Sequence, residues 1–473
     1  MSVGLAEPSD AARREAGPPV VAATVAAAAG RILVRQEERE SAARTYARHL
    51  PVVPVRAEGM TVFGADGRRY LDCLAGAGTL ALGHNHPVAI NAIRKVLDSG
   101  APLHVLDLAT PIKDEFTQTL LSLLPGDLAR TGKIHFCGPS GADGVEAALK
   151  LARAATGNTG LVAFTGAYHG MTAAALAATG DIAVRAAARV ADQGVTRLPF
   201  PQDYRCPFGV GPVGGVRIAI EQLRRHFRDP NSGMTPPAGL IFEPVQGEGG
   251  VHPAPDEWLR AVRAITEEHR IPLIADEVQT GLGRTGELWG VDHSGVTPDI
   301  MVLSKAIGGG LPLAVVVYRP ELDLWAEGAH TGTFRGQQLA LAAGTATIKY
   351  VVEHDLAARA RKVGELIADA FRSAAAELPA IGDVRGRGLM LGVELVDPES
   401  APDALGARTA APGLARKVRE EALARGLLVE LGGRHGAVLR LLPPLTITDE
   451  EADQVVSVLL AVIAEVSRDW RAK

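Results

Sequence analysis

The sequence predicts an α/β protein: a mostly parallel sheet with helices on both faces, followed by a smaller α+β domain. Three observations carry this. Short runs rich in Val, Ile and Leu recur at 133–138 (KIHFCG), 160–166 (GLVAFTG), 239–245 (GLIFEPV), 271–278 (IPLIADEV) and 299–306 (DIMVLSKA). Helix-patterned stretches such as GVEAALKLARAATG and DEWLRAVRAITEEHR lie between several of them. Each run ends at a glycine or a polar residue. Apolar strands alternating with helices are the pattern of a parallel sheet buried on both faces.

The remaining elements follow in order. Residues 1–34 read as a flexible arm. Its run PPVVAATVAAAAG follows Arg13 and Arg14, but Glu7, Asp10 and Glu15 precede it and it is too short to span a bilayer. Residues 35–105 read as an N-terminal segment that joins the small domain. GRILVRQEERESAARTYARHLP, which starts at Gly30, is helical up to Pro51, and GMTVFGADGRRYLDCLAG is a hairpin turning at Asp66-Gly67. The sheet domain takes 106–340. The C-terminal small domain, 341–473, is predicted to hold one long helix to about 378, a strand in RGLMLGVELV, another helix, and AVLRLLPPLTI. APDALGARTAAPG reads as a surface loop.

Composition excludes several classes. A net charge of -5 gives no basic footprint for nucleic acid and no polybasic membrane signal. Cys73, Cys137 and Cys206 form no CxxC, so a reducing cytoplasm is predicted, with each thiol a small buried hydrophobe. No metal-ligating pattern is identified.

Ligands of parallel sheets bind at the carboxyl ends of the strands. Ser140, Glu243, Asp276 and Lys305 fall there. Lys305 is the only lysine between Lys150 and Lys349. Burial lowers the pKa of a lysine and makes its amine a nucleophile for carbonyls; the alternative is a lysine that snorkels to water. Asp276 ends an apolar run 29 positions earlier. Pyridoxal 5'-phosphate needs both groups, a lysine for its aldehyde and a carboxylate for its ring nitrogen, although Lys–Asp pairs also occur without a cofactor. In CGPSGADGVEAALKLAR, a small-residue loop opens into a helix, where Ser140, Gly141 and Ala142 could hold a phosphate. The stretch is neither a Walker A sequence nor a GxGxxG fingerprint. In FTGAYHGMT, Tyr168 or His169 could stack on a flat ring or fill a core gap.

Seven motifs bind these features together. GPSGADGVEAALKLAR, GAYHG, EPVQGEGG, LIADEVQTGLGRTG, SKAIGGGLPL, HTGTFRG and VLRLLPPL occur in the order and spacing of class-III aminotransferases. The chain resembles that family over roughly residues 35–465. DCLAGAGTLALGHNHP and HTGTFRG resemble most the diaminobutyrate–2-oxoglutarate aminotransferases, with the ectoine-pathway enzymes close by.

The resemblance implies fold type I, with a seven-stranded sheet in the large domain, and pyridoxal 5'-phosphate as cofactor. It implies that Lys305 forms the Schiff base and shuttles the proton. Asp276 would hold the ring nitrogen. Val278 and Tyr168 would cover the ring faces, and Gln279 would reach the ring hydroxyl. Gly141 and Ala142 would bind phosphate beside Ser140, with His169 and Glu243 also at the cofactor. Thr333 would reach the phosphate of the neighbouring subunit, making a homodimer part of the site. Glu248 and Arg440 match the pair that lets one pocket take a diamine and then a carboxylate; a permanent salt bridge is the alternative.

The implied reaction moves the 4-amino group of L-2,4-diaminobutyrate to 2-oxoglutarate. An ornithine, 4-aminobutyrate or lysine donor, or a semialdehyde aminomutase, stays open. Three positions depart from the family pattern. Met171 stands where some ω-aminotransferases carry an arginine. Gln337 replaces an asparagine with little effect expected. Arg335 replaces a glycine and could meet a substrate carboxylate.

Overall fold

The computed structural model describes residues 19–191 and 194–470. The chain divides into two compact units. Of the described residues, one takes 19–57 and 61–70, and the other takes 58–60 and 71–470.

In the first unit a helix spans Pro19–Arg39 and a helical turn spans Tyr46–His49. Helix therefore runs through the part of the predicted arm that is described; residues 1–18 lie outside it. The alanine-rich run has the highest intrinsic helix propensity available. The predicted hairpin forms. Strands Thr61–Gly64 and Arg69–Asp72 join through Asp66-Gly67, where Gly67 has φ +79°. The Asp66 carboxylate accepts from Arg68 N at 3.0 Å and closes the turn.

The second unit is built on a seven-stranded sheet. Its strands in chain order are β1 (Lys133–Phe136), β2 (Leu161–Phe164), β3 (Val195–Leu198), β4 (Gly239–Phe242), β5 (Leu273–Asp276), β6 (Ile300–Leu303) and β7 (Val315–Tyr318). The spatial order is β1-β7-β6-β5-β4-β2-β3. All neighbours run parallel except β7, which is antiparallel to both β6 and β1. Every residue of β4, β5, β6 and β7 is buried. Such strands have no polar face to show, which is why they read as continuous apolar runs.

The C-terminal part carries a second, antiparallel sheet in the order Ile381–Arg387, Met390–Leu395, Val438–Leu441, Glu430–Gly432. Helices Leu356–Ala375, Pro412–Ala424 and Asp449–Arg468 accompany it. The predicted single long helix is corrected to two, Gln338–Glu353 and Leu356–Ala375. Asp355 breaks it by turning left-handed at φ +46°, and its side chain then caps the second helix on Ala358 N. Cys73, Cys137 and Cys206 are buried free thiols. Among the described residues no helix is long and apolar enough to cross a membrane.

Candidate active site

The carboxyl ends of β1, β2, β4, β5 and β6 open onto one cavity of about 480 Å³. Strand direction alone puts them there. Each parallel strand delivers the residue after it to the same edge of the sheet.

β1 runs into the turn before helix α1 (Gly141–Thr156). Ser140 caps this helix, its hydroxyl accepting from Asp143 N at 3.3 Å. The first N–H groups of a helix lack intrahelical acceptors. Ser140, Gly141 and Ala142 line the cavity there, so this end offers donors to an anion. A Cβ on Gly141 would lie 2.8 Å from Val278 Cγ1. Glycine is needed for Val278 to approach this closely.

β6 delivers Lys305, half-buried and left-handed at φ +50°. A non-glycine residue in that conformation costs about 1–3 kcal/mol, which the surrounding structure must cover. Burial holds the Lys305 amine below the ordinary lysine range. Glu248, Asp276 and Glu243 pull the other way, whereas Arg440 pushes in the same direction. The result is an amine more available as free base than a surface lysine.

β5 ends on Asp276. One of its oxygens accepts from Val278 N at 3.1 Å, and the other lies 2.8 Å from His169 Nδ1. The His169 side chain has no exposed surface. Burial would lower its pKa, but the Asp276 hydrogen bond and charge overcome this and raise it. Its Nε2 is buried without a partner. His169 is therefore fixed in plane by Asp276. Tyr168, 37% exposed, stands against the open cavity instead.

Glu243, after β4, lines the cavity, yet both its oxygens are engaged. Tyr168 N donates to one at 2.9 Å and Gly247 N to the other at 3.1 Å. Glu243 thereby joins the Tyr168 loop to the loop carrying Glu248. Burial pushes its carboxyl up to about 7.

Glu248 meets Arg440, whose Nη1 donates to Glu248 Oε2 at 2.6 Å. Nη2 donates to Gln279 Oε1 at 3.2 Å, and Gln279 Nε2 donates to Ala77 O at 3.1 Å. The two partners differ in exposure. Arg440 keeps 1% of its side chain exposed and Glu248 keeps 37%, on the cavity side. Burial would raise the Glu248 carboxyl, but the charges of Arg440 and Lys305 hold it below its ordinary value.

Thr333 is exposed and does not line this cavity. Arg335 donates to Asp107 at 2.5 Å. Met171 lines the cavity and is 54% exposed. Gln337 caps the following helix, its side chain accepting from Ala340 N at 2.8 Å. His135, Cys137 and His330 bring three ligand-type atoms within 4.8 Å of one another. Both nitrogens of His330 are already engaged, by Asp143 at 3.1 Å and by Lys150 at 3.3 Å. His330 is thus tied to Asp143 and Lys150, while His135 Nε2 is buried without a partner.

Sequence reasoning missed the His169–Asp276 pair, the Glu243 bridge and the Gln279–Arg440 contact. Each joins residues of separate strands or loops. The available signal was the position of Glu243, Asp276 and Gln279 at or just past a strand end; His169 and Arg440 carried no such mark.

The class-III aminotransferase family model matches residues 42–463. The chain belongs to the class-III aminotransferases. Over 436 residues, 92% of this class-III aminotransferase and 93% of the relative, it is 53% identical to the diaminobutyrate–2-oxoglutarate aminotransferase of Rhizobium meliloti (strain 1021). It is 46% identical over 424 residues to the Haemophilus influenzae enzyme of the same name, covering 90% of this chain and 93% of that one. An amine transaminase from an uncultivated Pseudomonas species, solved in its PLP-bound form, superposes with a TM-score of 0.79 at 29% identity. The match covers 90% of this chain and 98% of that one. The class-III aminotransferase thus has the fold type I architecture that its sequence predicts.

Proposed function

We propose that this aminotransferase uses pyridoxal 5'-phosphate to move the 4-amino group of L-2,4-diaminobutyrate to 2-oxoglutarate, giving L-aspartate 4-semialdehyde and L-glutamate. One observation carries the reading. A single cavity joins a lysine of lowered pKa, a buried carboxylate–imidazole pair and a helix start. The residues fit the cofactor: Gly141 and Val278 line the cavity beside Lys305, and Asp276, held by His169, supplies a carboxylate to it. The bound cofactor supplies a pyridinium electron sink for a carbanion.

The chain's own residues do the rest. Lys305 offers its free amine to an aldehyde and carries the proton between substrate carbon and cofactor. Asp276, held in place by His169, keeps a ring nitrogen protonated. Val278 and Tyr168 would restrict the ring, and Gln279 would reach its hydroxyl. Gly141 and Ala142, beside Ser140, give backbone donors to a phosphate. Glu248 neutralises Arg440 while the diamine is bound, and yields it when glutamate or 2-oxoglutarate brings a carboxylate. Thr333, exposed on its own chain, serves the site of a second copy, so the working unit is a homodimer in the cytoplasm.

The diaminobutyrate assignment is supported by the name of the relative at 53% identity. Competing donors test it. With 2-oxoglutarate as acceptor, diaminobutyrate is expected to exceed ornithine, 4-aminobutyrate and lysine in kcat/KM by at least about tenfold, a difference of roughly 1.4 kcal/mol. Preference for ornithine would overturn the substrate. Turnover of a semialdehyde without any 2-oxo acid would replace the reaction by a mutase.

A further inference from the structure

Arg440 and Glu430 are directly opposite residues on adjacent antiparallel strands, Val438–Leu441 and Glu430–Gly432. Directly opposite residues share a face of the sheet, with Cβ atoms about 4.5–5.5 Å apart. Yet no side-chain hydrogen bond joins them. Arg440 Nε is buried without a partner, and so is Glu430 Oε2. An unused donor and an unused acceptor thus sit across one strand pair. Leaving either buried and unpaired is costly.

The guanidinium is used from one side only. Its two Nη atoms point to Glu248 and Gln279, at the cavity, while Nε is left over. The stem runs over residue 432, which is glycine, and a Cβ there would collide with Arg440 Cδ. Three charged groups bear on Glu430, namely Arg440, Glu248 and Arg419, the last from helix Pro412–Ala424. Burial raises its carboxyl, Glu248 raises it further, and the two arginines oppose this.

We propose that Glu430 is a positioning residue: it takes the Nε–H of Arg440 when Glu248 withdraws, and so keeps both Nη atoms aimed at the incoming carboxylate. This rests on the Glu248–Arg440 exchange read above and names the group that makes the exchange possible. With Glu248 gone, Arg440 remains buried and needs a second acceptor that does not compete for its Nη edge. Glu430 faces Arg440 across the strand pair, and its Oε2, like Arg440 Nε, is unused. The diamine half of the cycle, in which Glu248 stays on Arg440, does not call on it.

The test uses the full-length holoenzyme and glutarate, a dicarboxylate with no oxo group to react. Calorimetry gives its Kd, and single-turnover kinetics give the diaminobutyrate half-reaction. Glu430→Met removes the acceptor and keeps the length. It is expected to weaken glutarate roughly tenfold or more, to leave the diaminobutyrate half-reaction unchanged, and not to lower Tm. Glu430→Gln, which can still accept from Nε, is expected to recover most of the affinity. Glu430→Ala serves in its place if Glu430→Met does not fold.

Unchanged glutarate binding in Glu430→Met, or equal loss in both half-reactions, would overturn the proposal. So would a fall in Tm with no change in glutarate binding, which would mean that Glu430 serves Arg419. Arg440→Lys separates the two layers. If it weakens glutarate and Glu430→Met does not, only the role of Glu430 falls. If Arg440→Lys also leaves glutarate binding intact, the exchange itself is wrong and this proposal goes with it.

Discussion

His169 and Asp276 form a buried pair at the cavity wall, with Nδ1 2.8 Å from Oδ2 and no imidazole surface exposed. The pair joins the end of β5 to the loop after β2, which no local sequence pattern links. It gives Asp276 a fixed orientation that a lone carboxylate would lack. It also leaves a signature in stability.

The His169 pKa is raised in the folded state. A folded protein that holds the proton more tightly than the unfolded chain gains stability where both are protonated. The gain is complete below the ordinary histidine value near 6.5 and is lost as pH rises through the higher folded value. Asp276→Asn removes it. Denaturant unfolding of cofactor-free protein is expected to show a loss of about 3 kcal/mol at pH 5.5, shrinking at pH 9. A loss equal at both pH values would show that the pair is not charged as described.

Gly141→Ala crowds Val278 at the phosphate end of the cavity. The added Cβ would start 2.8 Å from Val278 Cγ1, so one of the two must move. Overpacking of this kind costs about 1–3 kcal/mol. The expected result is pyridoxal phosphate affinity reduced at least about tenfold, read by equilibrium dialysis, with Tm of the cofactor-free protein lowered by only a few degrees. Unaltered affinity would remove Gly141 from the binding surface.

Glu248→Ala strands the buried Arg440 charge. Breaking a fully buried pair costs about 3–5 kcal/mol. Glu248 keeps 37% of its side chain exposed, so solvent screens the pair and about 2 kcal/mol is expected. Arg440→Met, which removes the charge and keeps the bulk, is expected to be near neutral in stability while losing the 2-oxoglutarate half-reaction. Equal destabilisation by the two variants would mean that packing, not charge, is at stake.

Five of the seven strands were legible as Val, Ile and Leu runs, as in Ile300–Leu303, whereas Val195–Leu198 and Val315–Tyr318 were not placed. Nor could the direction of Val315–Tyr318 be read. It follows β6 through a short turn at Lys305–Gly308, with no crossover helix to make it parallel. The break at Asp355 was hidden for a different reason: no glycine or proline marks it, and an aspartate adopts the left-handed angle and caps the next helix. Lys305 and Asp276 could be picked out singly, since each ends an apolar run. Their neighbours His169 and Gln279 could not be paired, because sheet order, unlike sequence order, decides which strand ends meet.

Gly364→Ala tests the packing of the small domain. Gly364, on helix Leu356–Ala375, lies against the hairpin turn at Gly388, and a Cβ there would collide with the Gly388 carbonyl. Backbone cannot yield as a side chain can, so a loss of about 3 kcal/mol or more is expected. A calorimetric Tm within about 2 °C of the parent would show that this contact is looser than described.

The most direct measurement is the visible absorption of the purified protein supplied with pyridoxal phosphate. The account expects a yellow species that diaminobutyrate bleaches and 2-oxoglutarate restores, and that Lys305→Ala cannot form. A Lys305→Ala protein that is yellow, bleached and restored like the parent would contradict it.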